Sequence, residues 1–181
     1  MDIENLELKD AFIIHPDVFR DDRGWFMESF STQKMPNNIT YIQDNHSFSK
    51  GKGVLRGLHI QLPPFTQSKL IRCTRGKILD VIVDVRESSP SYLNHKKIIL
   101  SDENFNILFV PKGFLHGFVT LAENVEVQYK VDAFYNKESE RSVLYNDPLF
   151  GIDWGQGEFI LSEKDKKAPL YKKELETISF E

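Results

Sequence analysis

The sequence predicts an all-β fold: a jelly-roll β-barrel with short N- and C-terminal additions and little helix. Short segments rich in Val, Ile, Phe and Tyr recur along the 181 residues, with turn signals between them. Apolar and polar residues alternate with period two, most plainly where Val125, Val127, Tyr129, Val131 and Ala133 interleave with Glu126, Gln128, Lys130 and Asp132. Helical signals are confined to a turn near Ser31–Met35 and a start at Ser162.

Taken in order, the predicted strands begin with Ala11–His15, an apolar run, and Trp25–Phe30, which follows the turn-like Arg20-Asp-Asp-Arg-Gly24. In Tyr41–His46 and the residue beyond, Gln43, Asn45 and Ser47 share a face, an amide-lined wall suited to a polyhydroxylated ligand. Val54–Gln61 follows; for Arg56 and His59 to line one pocket, Gly57 must host a bulge. In Gln67–Thr74, Lys69 shares its face with Ile71 and Cys73, while Ser68, Leu70 and Arg72 take the other. A lysine facing a barrel interior is uncommon unless paired or functional; the plainer alternative is an ammonium reaching the rim to meet Asp80 or Asp84. Lys77–Val85 begins after the Arg75-Gly76 turn, and Lys96–Ser101, Asn106–Val110, Gly117–Leu121, Val125–Phe134 and Ser142–Tyr145 complete the set. Alternation turns Tyr129 into the barrel with its apolar neighbours.

Composition fits one enzyme-sized domain over residues 1–181: 40% hydrophobic and 28% charged, with no linker or repeat. A net charge of −4 argues against nucleic-acid binding, although local Arg and Lys can still focus on one phosphate group. The lone Cys73 fits a reducing compartment, Met1-Asp-Ile-Glu-Asn-Leu-Glu is not a signal peptide, and no apolar run approaches membrane-spanning length. The expected location is cytoplasmic.

Gly53-Val-Leu-Arg-Gly-Leu-His-Ile-Gln61, then Lys69, then Pro111-Lys-Gly-Phe-Leu-His116 resemble the two motifs of a cupin barrel with its metal ligands removed. The second motif, P-x-G-x-x-H, is whole. The first keeps only His59; Gln61 and Lys69 stand where a metal-binding cupin has a second histidine and a carboxylate. An ammonium cannot serve a transition metal. The expectation is organic acid–base chemistry with no metal and no cofactor, and a cupin-type jelly roll as its frame.

Further segments carry a closer resemblance: Asp22-Arg-Gly-Trp-Phe-Met-Glu28, Gln43-Asp-Asn-His-Ser47, Gln67-Ser-Lys-Leu70, Asp84-Val-Arg86, Leu100–Asn104, Tyr129-Lys130, Asp147-Pro148 and Ser162-Glu-Lys-Asp165. Each is weak alone, but their joint order is very specific. The chain resembles the dTDP-4-dehydrorhamnose 3,5-epimerases, metal-free cupins acting on nucleotide-linked 4-keto sugars. The resemblance implies His59 as catalytic base, Asp165 as its orienting carboxylate and Tyr129 as general acid. It places Lys69 and His116 at the 4-keto oxygen. Arg23, Phe26, Glu28, Gln43, Asn45, Arg56, Tyr135, Glu140 and Lys164 match positions that hold the nucleotide, its diphosphate or the sugar. It also implies a homodimer exchanging N-terminal strands.

Plainer readings stand beside these roles. Ser162-x-x-Asp165 is also a helix capping box, His116 a remnant of the cupin turn, and Tyr135 a substitute for Tyr129. Ser68, Ile60 and Trp25 depart from the family pattern and are expected to alter the base pocket or the space around C5 and C6. GDP- or CDP-linked sugars, a heptose, a single-centre epimerase, a 3,4-ketoisomerase and a metal-binding or non-enzymatic cupin stay open at this level.

Overall fold

The computed structural model describes residues 1–36, 38–171, 175 and 180. Its strands are β1 (Asp2–Asn5), β2 (Phe12–His15), β3 (Val18–Asp21), β4 (Gly24–Met27), β5 (Gln43–Ser49), β6 (Leu55–Gln61), β7 (Lys69–Arg75), β8 (Lys77–Asp84), β9 (His95–Ser101), β10 (Ile107–Val110), β11 (Phe114–Thr120), β12 (Val125–Val131) and β13 (Glu140–Ser142). One short helix, α1, spans Glu163–Lys166. The strands form a six-stranded sheet in the order β1-β2-β10-β7-β12-β5, a five-stranded sheet β13-β6-β11-β8-β9, and the separate β3–β4 hairpin. The named pairings are antiparallel.

The two large sheets face each other as a cupin-type jelly roll. Ile13, Ile71, Cys73, Leu108, Val125 and Val127 of the first meet Ile78, Ile82, Ile98, Leu100, Phe114 and Phe118 of the second in the barrel core. Alternation sends Leu55, Leu58, Ile60, Val81, Val83, Leu115 and Val119 outward, where Val143, Phe150, Trp154 and Tyr171 of the C-terminal segment cover them. Phe12, Ile14, Leu70, Ile107 and Phe109 form the outer face of the other sheet, under Phe30, Met35, Ile39 and Tyr41. With both outer faces covered in this way, the barrel interior is the place left for a polar site.

Several boundaries differ from the sequence reading. β1 was not expected, because all four residues are exposed and carry no apolar alternation; its pairing with β2 alone makes it a strand. β3 lies where the sequence shows only loop and turn, yet it pairs with β4 through an Asp21–Gly24 turn, and the pair ends at Met27 instead of Phe30. β11 starts at Phe114, three residues before the expected Gly117, since the ladder to β8 already begins at Asp84. β12 stops at Val131 and not Phe134. Beyond it, side chains replace strand partners: the Ala133 carbonyl accepts from Gln67 Nε2 at 2.8 Å. β13 lies at Glu140–Ser142, upstream of the expected Ser142–Tyr145.

Candidate active site

Gly57 hosts the irregularity on which the site depends. The β6–β11 register shifts between the pairs His59–His116 and Arg56–Phe118. Gly57 has φ +129°, and a Cβ there would lie 2.6 Å from Gly117 Cα and 2.9 Å from the His116 carbonyl oxygen. Two glycines therefore let the strands close together while Arg56 and His59 leave the side on which Leu55, Leu58 and Ile60 pack.

His59 is half-buried, and its Nε2 lies 2.6 Å from Asp165 Oδ1. Asp165 is buried on α1. Burial pushes its carboxyl upward, but the His59 bond and charge, Ser162 and Lys164 hold it below its ordinary range. The Asp165 backbone N–H donates to Ser162 Oγ at 3.1 Å. The helix cap and the histidine pairing thus coexist, the first using the backbone and the second the carboxylate.

A second histidine pair lies on the neighbouring strands β11 and β8 of the same sheet, with Lys69 reaching it from the facing one. His116 Nε2 is 2.9 Å from Asp80 Oδ2, and its Nδ1 is 3.5 Å from Lys69 Nζ, at the edge of hydrogen-bonding distance. Burial lowers the His116 pKa, opposed by Asp80 and assisted by Lys69 and His59. A neutral ring donating Nε2–H to Asp80 leaves Nδ1 as an acceptor toward the ammonium. Burial lowers Lys69 to about 8, with Asp80 and Glu140 opposing. With its Nζ 3.5 Å from the buried His116, Lys69 reaches into the barrel and not to the rim. Asp80, whose side chain is fully buried with Oδ1 unpaired, is thus a partner inside the barrel and not the rim partner that the sequence suggests. Alternation along Leu79-Asp80-Val81 was the signal that it points inward.

Tyr129 packs against the barrel core, and its register neighbours are Asn45 on β5 and Ile71 on β7. Burial raises its phenol, opposed by Arg56 and reinforced by Glu140. The amide wall is present: Gln43 Nε2 donates to Asn45 Oδ1 at 2.8 Å. Arg56 is exposed and donates to the Phe48 carbonyl at 3.3 Å and Ser49 Oγ at 3.4 Å. Glu140 accepts from the Tyr135 hydroxyl at 3.1 Å and pairs with Lys164 at 2.5 Å. Burial pushes Glu140 upward, but Lys164, Tyr135 and His59 hold it below its ordinary range.

Arg23, Phe26 and Glu28 belong to the hairpin region, and their polar contacts are local. Arg23 pairs with Asp21 at 2.6 Å, Glu28 with Lys34 at 2.8 Å, and Phe26 is 70% exposed. Of the three departures expected to reshape the pocket, Ile60 packs on the outer face and Trp25 lies edge-on to Phe105 at 4.8 Å. Ser68 is buried, with its backbone N–H on Asp132. Ile60 thus faces away from the pocket because it alternates with His59.

The site fits no metal ligand set. Lys69 is an ammonium against His116, and Gln61 is bound to the backbone of two loops. Its two histidines each face a buried carboxylate, one pair beside a cation, an arrangement able to move protons. Comparison with known proteins agrees with that chemistry: the family profile described as dTDP-4-dehydrorhamnose 3,5-epimerase matches residues 5–173.

The chain belongs to the dTDP-4-dehydrorhamnose 3,5-epimerase family.

The dTDP-4-dehydrorhamnose 3,5-epimerase of Salmonella typhimurium is 45% identical over 175 residues, covering 94% of this chain and 95% of that protein. The dTDP-4-dehydrorhamnose 3,5-epimerase of Bacillus anthracis, solved with TDP and PPi bound, superposes with a TM-score of 0.91 at 41% identity, covering 94% of this chain and 99% of the other. A dTDP-6-deoxy-D-glucose-3,5-epimerase from Legionella pneumophila, in complex with dTDP-4-keto-L-rhamnose, gives a TM-score of 0.91 at 39% identity, covering 99% and 98%. Among the described residues, no helix is long and apolar enough to cross a membrane.

Proposed function

We infer that this chain is a cofactor-independent 3,5-epimerase of a nucleotide-linked 4-keto sugar, of the dTDP-4-keto-6-deoxyglucose type, serving the biosynthesis of surface-polysaccharide sugars. Family membership combined with the His59–Asp165 pair supports this reading. C3 and C5 both flank the C4 ketone, so either hydrogen is acidic once the resulting enolate is stabilised. Neutral His59 removes it, while Asp165 holds the ring and steadies the imidazolium. Lys69, backed by His116 and Asp80, offers a cation to O4, where negative charge develops only as the proton leaves. Tyr129, kept protonated by burial, returns a proton from the opposite ring face. The base does not move between the two inversions, so the ring must re-present C5 to His59.

In this reading Gln43, Asn45, Arg56, Tyr135, Glu140 and Lys164 hold the substrate from within the protomer. Arg23, Phe26 and Glu28 serve the barrel of a partner subunit in a homodimer, which accounts for a hairpin that displays Phe19, Trp25 and Phe26 to solvent. We place the single-domain enzyme in the cytoplasm, in keeping with a lone, buried, unpaired Cys73.

Turnover in heavy water tests the assignment. Each inversion introduces a solvent deuteron, so the product of a 4-keto sugar nucleotide is expected to carry deuterium at both C3 and C5. Tyr129→Phe is expected to keep exchange while losing most inversion, and His59→Ala to lose both. Deuterium at one carbon after full turnover would assign a single-centre enzyme; exchange retained in His59→Ala would remove His59 from the mechanism.

A further inference from the structure

The connection between β12 and β13 lacks strand partners at residues 133–136, yet glutamine side chains from three stretches of chain hold its backbone. Gln67 Nε2 donates to the Ala133 carbonyl at 2.8 Å. Gln61 Nε2 donates to the Phe134 carbonyl at 3.3 Å, and its Oε1 accepts the Asn136 N–H at 2.6 Å. Gln43 Oε1 accepts the Tyr135 N–H at 3.3 Å. Gln61 is the centre of this clamp: it is 7% exposed, and Nε2 also donates to the Phe65 carbonyl at 2.8 Å. Its amide therefore ties β6 to two loops at once. A carboxylate at this position would have no proton to donate to either carbonyl, and an imidazole could not meet two acceptors and a donor in this geometry.

The clamped segment carries functional groups. Tyr135 follows the Phe134 carbonyl directly, its hydroxyl donates to Glu140 Oε2 at 3.1 Å, and Glu140 begins β13 beside Gln61 in register. We propose that Gln61 is a positioning residue for substrate binding, fixing the Phe134–Asn136 backbone so that Tyr135 and Glu140 are aimed at the sugar nucleotide in the barrel mouth. The proposal rests on the epimerase reading, in which Tyr135 and Glu140 touch the substrate. It gives the amide at the position of the absent metal ligand a task of its own: it replaces a bond to an ion with bonds to a loop.

Steady-state kinetics of the full-length enzyme on dTDP-4-keto-6-deoxyglucose test this through a cycle of Gln61→Glu, Tyr135→Phe and the double variant. Losing two neutral hydrogen bonds is expected to raise KM by about tenfold in Gln61→Glu, with kcat little changed. If Gln61 acts through Tyr135, the double variant is expected to bind no worse than the weaker single variant. Gln61→Met, which keeps the volume and removes the donors, is expected to reproduce the KM effect and supplies the readout should the carboxylate prevent folding. Unchanged KM in both Gln61 variants, a loss confined to kcat, or KM effects that multiply both with Tyr135→Phe and with Glu140→Gln in a parallel double variant would overturn the positioning role. A parent enzyme that exchanges no hydrogen of this substrate with heavy water would instead overturn the epimerase reading, and this one with it.

Discussion

At the residue scale, the role proposed for Lys69 at the enolate requires its ammonium form. Burial brings its pKa to about 8, so protonation is nearly complete at pH 6 and is lost as pH rises through about 8. The rate is therefore expected to fall on the alkaline side near pH 8. Tyr129 titrates above its ordinary value and His116 below its own, so neither accounts for that limb. A pH profile of kcat/KM, which reports the free enzyme, checks it, and an alkaline limb appearing only beyond pH 10 would assign the fall to the phenol. Lys69→Met is expected to lower kcat by about a hundred- to a thousandfold, the scale of a lost oxyanion donor, while folding is retained. Asp165→Asn separates the two tasks that meet at one residue. The amide leaves the backbone donor to Ser162 in place but no longer holds His59 as a base, so activity is expected to drop by about a hundredfold or more at nearly constant Tm. Ser162→Ala is expected to do the reverse, costing about 1 kcal/mol of stability. A large Tm loss in Asp165→Asn at full activity would make the carboxylate structural.

At the scale of elements, the β6–β11 pair is the most demanding piece of backbone. Gly57→Ala would place a methyl group against Gly117 Cα and the His116 carbonyl at a φ that L-residues avoid. The expected loss is about 3 kcal/mol, or about 6–12 °C in Tm, with activity falling further because Arg56 and His59 are carried by the same distortion; a thermal melt and an assay at 20 °C check both. This bulge was legible in the sequence because regular alternation could not put Arg56 and His59 on one side. The inward faces of Lys69 and Tyr129 were legible for the same reason, each lying among apolar residues at even spacing. β1 and β3 were not, since a strand supported by its ladder and not by a buried face leaves no periodic trace. The end of β12 was equally hidden, because side-chain amides distant in sequence decide it.

At the scale of the whole molecule, local contacts leave Arg23, Phe26 and Glu28 bonded within their own hairpin region or exposed, and the proposed dimer is what gives them a substrate. Mixing two inactive parents tests it. A His59→Ala subunit keeps an intact hairpin, and an Arg23→Ala/Phe26→Ala subunit keeps an intact barrel. After unfolding and refolding together they are expected to recover part of the parent activity, whereas refolding each alone recovers none. Absence of recovery, with mixed dimers verified by mass, would assign the hairpin to the barrel of its own protomer and overturn the exchange between subunits. The sequence motifs held the identities of these residues but not the distance between them, because pairing across subunits and pairing across 106 residues leave the same trace in a linear string. That last separation has a consequence for how the molecule comes into being. His59 leaves the ribosome 106 residues before its carboxylate, so on the proposed roles a nascent chain holds an imidazole with nothing to orient it until Asp165 has been made. In that reading the chemistry is withheld until both partners have been made and the chain between them has folded.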